Sequence, residues 1–387
     1  KMTPFEAVTH AAPYDYYARL RRHSELVFDA DLGLWIASGA SVVEAILEHP
    51  DCLVRPLHEP IPAAIAQGAA GDIFGRLMRM NEGAQHRCPR MVIEPALGSL
   101  GSENLAGIVA QVVETLDDPV GNPNEWMFRL PVSVIATLIG FAPSQLQEVA
   151  QLTREFVACL SPLSDEAQLS EAHCGAARLR QMVQALLSDD DKRSGLLDRL
   201  YGEYQASAWK DDEALIANLI GLLSQTCEAT AGLIGNALIA LQRHPDLFEG
   251  MHATPMRVAE WVAEVARHDS PVQNTRRFVA QRCTIGGSVL EAGDTVLLLL
   301  AAANRDPAAN PDPDSFLLKR TLRRTFSFGA GRHQCPGQPL ALAIASEVIS
   351  AFLHRRPDLS ALAYRWDYLP SLNGRIPRFY RDEETQQ

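Results

Sequence analysis

One segment limits the fold of this chain more than any other. Residues 211–242 are apolar on nearly every side, between Asp211-Asp212-Glu213 at the start and Arg243-His244-Pro245 at the end. Acids in a first turn and bases after the last suit the two ends of a helix dipole, and the proline stops the helix. At about 1.5 Å per residue, such a helix crosses a whole domain. A helix that is apolar all round has no face for solvent, so it must lie in the middle of the molecule with other elements around it. The sequence supplies those elements. Helical spacing recurs at 13–23, 40–48, 103–118, 143–160, 166–187, 255–268 and 338–355. Strand patterns are fewer: a hairpin from Phe28 to Ser38 around Asp31-Leu32-Gly33, short strands at 284–289 and 295–300, and a hairpin near Asn373-Gly374. The proline- and glycine-rich residues 55–75 read as an irregular loop and a pocket wall, and 304–325 as a second loop-rich stretch. The expected fold class is mainly α with a minor β region.

Composition narrows the function classes. Apolar residues are 47% and charged residues 21%, as in an ordinary globular protein. The net charge of −12 argues against a general nucleic-acid binder, which carries a basic excess. No apolar run is long enough to span a bilayer and the first residues carry no apolar leader core, so a soluble cytoplasmic protein is expected. Seven cysteines stand at 52, 88, 159, 174, 227, 283 and 335, with no Cys-x-x-Cys pair, which removes zinc-ribbon and thioredoxin readings. Six of them read as small buried thiols. The charged run Ser188 to Arg193 reads as a solvated turn.

The seventh cysteine differs. It lies in Phe328-Gly329-Ala330-Gly331-Arg332-His333-Gln334-Cys335-Pro336-Gly337. Gly329 and Gly331 allow positive φ and close approach of the backbone to another group. Pro336 suits the first turn of a helix, and helical sequence follows from Gln338. The Cys335 sulfur therefore sits at a helix N-terminus, where the dipole favours a thiolate. A lone thiolate suits haem iron better than zinc or an iron–sulfur cluster.

These ten positions match Phe-Gly-x-Gly-x-His-x-Cys-x-Gly and resemble the haem-binding loop of the cytochrome P450 family. Glu264-Val265-Ala266-Arg267, about seventy residues earlier, resembles the family's buried Glu-x-x-Arg pair. His86 and Arg90, four apart on a helix, join Arg276 and His333 to resemble its clamp on the two haem propionates. Pro89 inside that helix is a departure expected to bend it. Asn304-Arg305-Asp306-Pro307 and Pro311 to Phe316 resemble the loop before the haem segment. Matches run from about residue 10 to 380. The resemblance implies one haem domain over 1–387 with the triangular-prism architecture, haem b held by Cys335, Phe328, Gly329 and Gly337, and O2 as co-substrate. It implies a monooxygenase that hydroxylates or dealkylates a small or mid-sized organic substrate, fed by a separate ferredoxin or flavodoxin and its reductase. Arg323, Arg324 and Arg332 are candidates for the docking patch of that partner, and a monomer with no membrane or nucleic-acid partner is expected.

The central helix departs from the family pattern. Gapless matching of Ser224 to Asn236 puts Glu228 on the usual acid, Ala229 on the usual catalytic threonine and Thr226 on the glycine of the helix kink. Ala229 cannot hydrogen-bond. Gln225 and Gly221 share its face, Ser224 is one turn before Glu228, and Thr230 points about 100° away. The expectation is that Gln225, Ser224 or a substrate hydroxyl takes over the missing role, with Gly221, Gln225 and Val272 lining the substrate pocket. Loop 55–80, residues 155–165 and Leu372 are further pocket candidates. Peroxygenase, oxidative-coupling or dehydration chemistry is the alternative, and a non-enzymatic haem sensor the third.

Overall fold

The computed structural model describes all residues except 103–104, 117–122, 192, 194, 249–253, 356–363 and 382–387. The central helix spans Asp212–Arg243, and Asp211 caps it by accepting from the Ala214 N–H. It is buried along most of its length and packs against the helices Pro123–Ile139, Leu146–Val157, Pro255–His268 and Gln338–Arg355. These elements share the largest apolar core. Close passage is built in at two glycines. A Cβ on Gly232 would meet the Pro271 ring at 2.8 Å, and one on Gly235 would meet the Pro377 ring at 2.8 Å.

The β region is small. Strands β1 (Leu26–Asp29), β2 (Leu34–Ala37), β3 (Cys52–Leu53), β4 (Thr275–Val279), β5 (Cys283–Ile285), β6 (Ser288–Leu290), β7 (Thr295–Leu298), β8 (Tyr364–Tyr368) and β9 (Pro377–Arg381) follow in chain order. They form a five-stranded sheet in the order β1-β2-β7-β4-β3 and two hairpins, β5-β6 and β8-β9. The hairpin around Asp31-Leu32-Gly33 pairs Leu26 with Ala37, and Gly33 takes the positive φ its turn demands.

The mainly helical reading holds, with local differences. The stretch 55–75 is not loop throughout: it carries a 3₁₀ turn, Ala63–Ile65, and the short helix Ala69–Phe74. The strand expected at 295–300 stops at Leu298, and Leu300–Asn304 is helical. Helices Pro123–Ile139 and Gly195–Ala206 and strand β4 had no expectation behind them. The helix expected at 103–118 covers Leu105–Glu114, and its outer positions 103–104 and 117–118 lie outside the described residues. Helix Ala84–Gly98 continues through Pro89 and Pro95. Among the described residues, no helix is long and apolar enough to cross a membrane.

Candidate active site

Cys335 stands just ahead of the Gln338–Arg355 helix, at the end of a tightly folded loop. Gly329 and Gly331 have φ of 71° and 72°, the left-handed region in which a side chain would strain the backbone. The loop then turns through Gly331–His333, and the Cys335 N–H donates to the Phe328 carbonyl at 2.8 Å. A Cβ on Gly331 would lie 3.1 Å from the Leu47 carbonyl, so the loop is set against the end of helix Ala40–Glu48. Burial pushes the Cys335 thiol pKa up, while the Gly337 N–H and the cations of Arg79 and Arg90 favour the thiolate. Cys335 belongs to no group of three possible metal ligands among the described residues. The one such group, His49, Cys52 and Cys283, lies elsewhere. The sulfur is offered as a single ligand.

Behind this loop sits a fully buried ion pair. Arg267 donates from Nε and Nη2 to the two oxygens of Glu264 at 2.7 and 3.1 Å. The sequence placed these two on one helix face, but their setting is richer than a pair. The Leu317 N–H, Arg320 Nε and Arg323 Nε also donate to Glu264. Arg267 donates in turn to the carbonyls of Asn304, Pro313 and Ser315. The irregular stretch 304–325 is thus pinned by side chains instead of by secondary structure.

At one edge of the loop three of the residues named from sequence, His86, Arg90 and His333, come together. The rings of His86 and His333 lie 4.1 Å apart. His86 meets the Met78 and Arg332 carbonyls at 3.1 and 2.9 Å. Arg90 donates to Glu94 and to the carbonyls of Arg332 and Gln334, which ties its helix to the cysteine loop. Arg276 does not join them. Successive residues of a strand face opposite ways, and β4 turns Arg276 outward toward Arg55 while burying Arg277. Arg277 is the residue that faces Glu82, Arg332 and Arg79. Desolvation brings its pKa down to about 10, Glu82 resisting and the two cations assisting. Among the described residues its Nε has no hydrogen-bond partner, and neither has His333 Nδ1.

Glu82 was not anticipated. It accepts from Arg332 at 2.8 and 3.1 Å and lies 3.1 Å from His333 Nε2. Burial alone would raise its carboxyl pKa, but the His333 and Arg332 donors outweigh that and hold it at about 2. The one sequence signal was an acid four residues ahead of His86. The three arginines proposed as a docking patch each have an internal carboxylate: Arg323 binds Glu264, Arg324 binds Glu44 and Arg332 binds Glu82. Their guanidinium groups are thus engaged within the chain.

The opposite wall is the central helix. Gly221 is buried against Leu77, and Gln225 Nε2 would lie 3.4 Å from a Cβ placed there. The Gln225 side chain is partly open and has no polar partner among the described residues. Ser224 is different: it is buried and its hydroxyl donates to the Gly221 carbonyl at 3.2 Å, so it is satisfied inside the helix. Thr226 likewise donates to the Leu222 carbonyl. Ala229 is partly open, and Val272 bridges to Gly374 and packs on the second apolar cluster. Glu228 has accessible surface although protein surrounds it. Burial raises its carboxyl pKa against the pull of Arg154 and Arg79.

The cytochrome P450 family model matches residues 254–355, which include both the Glu264–Arg267 pair and the cysteine loop. The chain belongs to the cytochrome P450 family. It is 25% identical over 369 residues to the biotin biosynthesis cytochrome P450 of Bacillus subtilis (strain 168), covering 92% of each chain. It is 33% identical over 283 residues to the vitamin D(3) 25-hydroxylase of Pseudonocardia autotrophica, covering 72% of this chain and 66% of that one. The fold matches the crystal structure of P450BioI in complex with hexadec-9Z-enoic acid ligated acyl carrier protein, with a TM-score of 0.81, 24% identity and coverage of 95% and 97%. As a P450, the protein is an oxidoreductase, a monooxygenase that uses haem b and O2. The residues present fit that cofactor. Cys335 offers one unshared sulfur, and near it, among the described residues, Arg277 Nε and His333 Nδ1 have no partner and suit acceptors of the kind two propionates supply.

Proposed function

We propose that this P450 inserts one oxygen atom into a C–H bond, or dealkylates a heteroatom, on a small or mid-sized organic molecule, with proton supply that does not depend on a side-chain hydroxyl at position 229. Electrons come from a separate ferredoxin or flavodoxin with its reductase, and residues 1–387 act as one cytoplasmic, monomeric haem domain. Haem supplies the oxygen activation, which consumes O2, two electrons and two protons at an iron made electron-rich by the cysteine thiolate. Cys335 is the residue to hold that iron, and His86, Arg90, Arg277 and His333 are those to hold the propionates.

The observation that carries the reading is the face shared by Gly221, Gln225 and Ala229. Ala229 offers no polar atom, while the Gln225 amide beside it has a donor and an acceptor free. Gln225 is therefore assigned to hold the water that a threonine would hold. Glu228 is assigned to exchange the proton at its carboxyl oxygen. Burial raises its pKa, so it holds its proton to higher pH than an exposed glutamate does.

The test begins with a spectral-shift screen of a compound library against the ferric protein, which supplies a substrate. With that substrate and a surrogate ferredoxin, product formed per NADH consumed is compared among variants. Gln225→Ala is expected to lower coupling several-fold with a matching rise in hydrogen peroxide, and Ala229→Thr is expected to restore it in the double variant. Equal coupling in all of these proteins would refute the assignment of Gln225.

A further inference from the structure

Arg79 is a cation surrounded by protein, without an ion-pair partner among the described residues. It lies in the turn Met78–Met80, between buried Met78 and partly buried Met80. Its side chain has open surface although protein encloses it, so the surface belongs to the internal chamber. Its charged neighbours there are Cys335 and Glu228, and Arg277 feels it as a like charge. No hydrogen bond or ion pair engages its guanidinium among the described residues.

The backbone that carries Arg79 is fastened on three sides. The Met78 N–H donates to Asn218 Oδ1 on the central helix at 2.8 Å, the Met78 carbonyl meets His86 Nδ1, and the Leu77 carbonyl accepts from Asn81 Nδ2 at 2.8 Å. The Leu77 side chain is wedged against Gly221. The backbone that carries Arg79 is therefore fixed in place beside the central helix.

The anions nearby do not neutralise it. Glu82 is taken by Arg332 and His333, and Glu228 answers Arg154 as well as Arg79. Cys335 is committed to iron on the reading above. A desolvated guanidinium without a partner is costly, and its planar fork of donors fits a carboxylate. A neutral or cationic ligand would leave that cost in place.

We infer that Arg79 is a carboxylate receptor inside the chamber, binding either a haem propionate or the acid group of a substrate. The inference rests on the chamber being the haem and substrate site. The substrate source has a further consequence, because a carboxyl held beside the central helix would bring the proton-exchanging oxygen that Ala229 lacks.

The test uses the ferric holoprotein and two probe series followed by spectral shift. One is octanoic, dodecanoic and hexadecanoic acid, each against its methyl ester. The other is imidazole-4-acetic acid against its methyl ester, a pair that the iron anchors whatever the shape of the pocket. Haem transfer to apomyoglobin is measured in parallel. If the substrate is the source, the parent prefers acid to ester by about tenfold or more in at least one series. Arg79→Gln then loses that preference, with ester binding nearly unchanged, and Arg79→Lys keeps part of it. If a propionate is the source, acid and ester bind alike and Arg79→Gln loses haem several-fold faster than the parent. Unchanged haem transfer together with no acid preference in either series overturns the inference. The reduced carbon-monoxide spectrum separates the two failures: a thiolate Soret band in those same samples leaves the P450 reading intact while Arg79 loses its role.

Discussion

Behind the cysteine loop, Glu264 accepts from Arg267, Arg320, Arg323 and the Leu317 N–H, and Arg267 makes five hydrogen bonds, two to Glu264 and three to backbone carbonyls. Across the chamber, Gln225 and Arg79 have none among the described residues. The two regions lie in one molecule and both are largely enclosed, yet one is saturated and the other is open. A wall that must hold one fixed group in one place satisfies its polar atoms from within the chain, since each unmet buried donor costs stability. A wall that meets an incoming ligand leaves donors unspent until the ligand arrives. Saturation thus separates scaffold from binding surface where burial alone does not.

Four measurements press on that contrast. The largest effect belongs to Cys335. Cys335→Ser should abolish the red-shifted Soret band of the reduced carbon-monoxide complex, and a variant that keeps that band would remove the assigned ligand. Next is the saturated wall. Glu264→Ala leaves Arg267 and Arg320 buried without their carboxylate, and chemical denaturation should show a loss of about 3–5 kcal/mol. A loss as small as that of a surface ion pair, below about 1 kcal/mol, would show that the network is not under the tension its burial implies.

The third measurement separates two neighbours. Arg277→Ala should weaken haem retention at least tenfold, whereas Arg276→Ala should change it by no more than about twofold, since charge-assisted hydrogen bonds contribute about 1.5–3 kcal/mol. The reverse order would mean that β4 presents the other face. The smallest effect is on pH. The Glu82 carboxyl is held at about 2, below its unfolded value. Its contribution is complete above the ordinary glutamate range and is lost as pH falls through about 2. The stability gap between the parent and Glu82→Gln should therefore shrink steadily as the solution is acidified below about pH 4.5. A gap that is flat in pH would mean that the His333 and Arg332 contacts do not act on Glu82 in solution.

What could be read from sequence follows the same division. The cysteine loop was legible because glycines, proline and cysteine stand at fixed spacing within ten residues. The central helix was legible because its two charged ends bracket one apolar run. Helix Pro123–Ile139 was not: nearly every residue from Trp126 to Ile139 is buried, so no polar stripe reveals the 3.6-residue period, and Pro131 within it reads as a breaker. Arg276 and Arg277 are adjacent and chemically identical, and only the phase of β4 against β7 decides which one turns inward. Arg79 lies between two methionines, and nothing local says that the space beside it is enclosed. Arg320 sits in a stretch without periodicity, and its partner lies 56 residues away in the chain.

That separation has a consequence for synthesis. Glu264 leaves the ribosome paired only with Arg267, on its own helix. Its remaining partners, at 317, 320 and 323, come 53 to 59 residues later. Cys335 follows shortly behind them. All residues of the buttress are therefore in the chain before Cys335 is added, and a chain that ends at residue 323 carries the whole Glu264 network with no iron ligand. In the order of synthesis the wall precedes the cysteine it supports, and helix Gln338–Arg355 and the β8-β9 hairpin follow both.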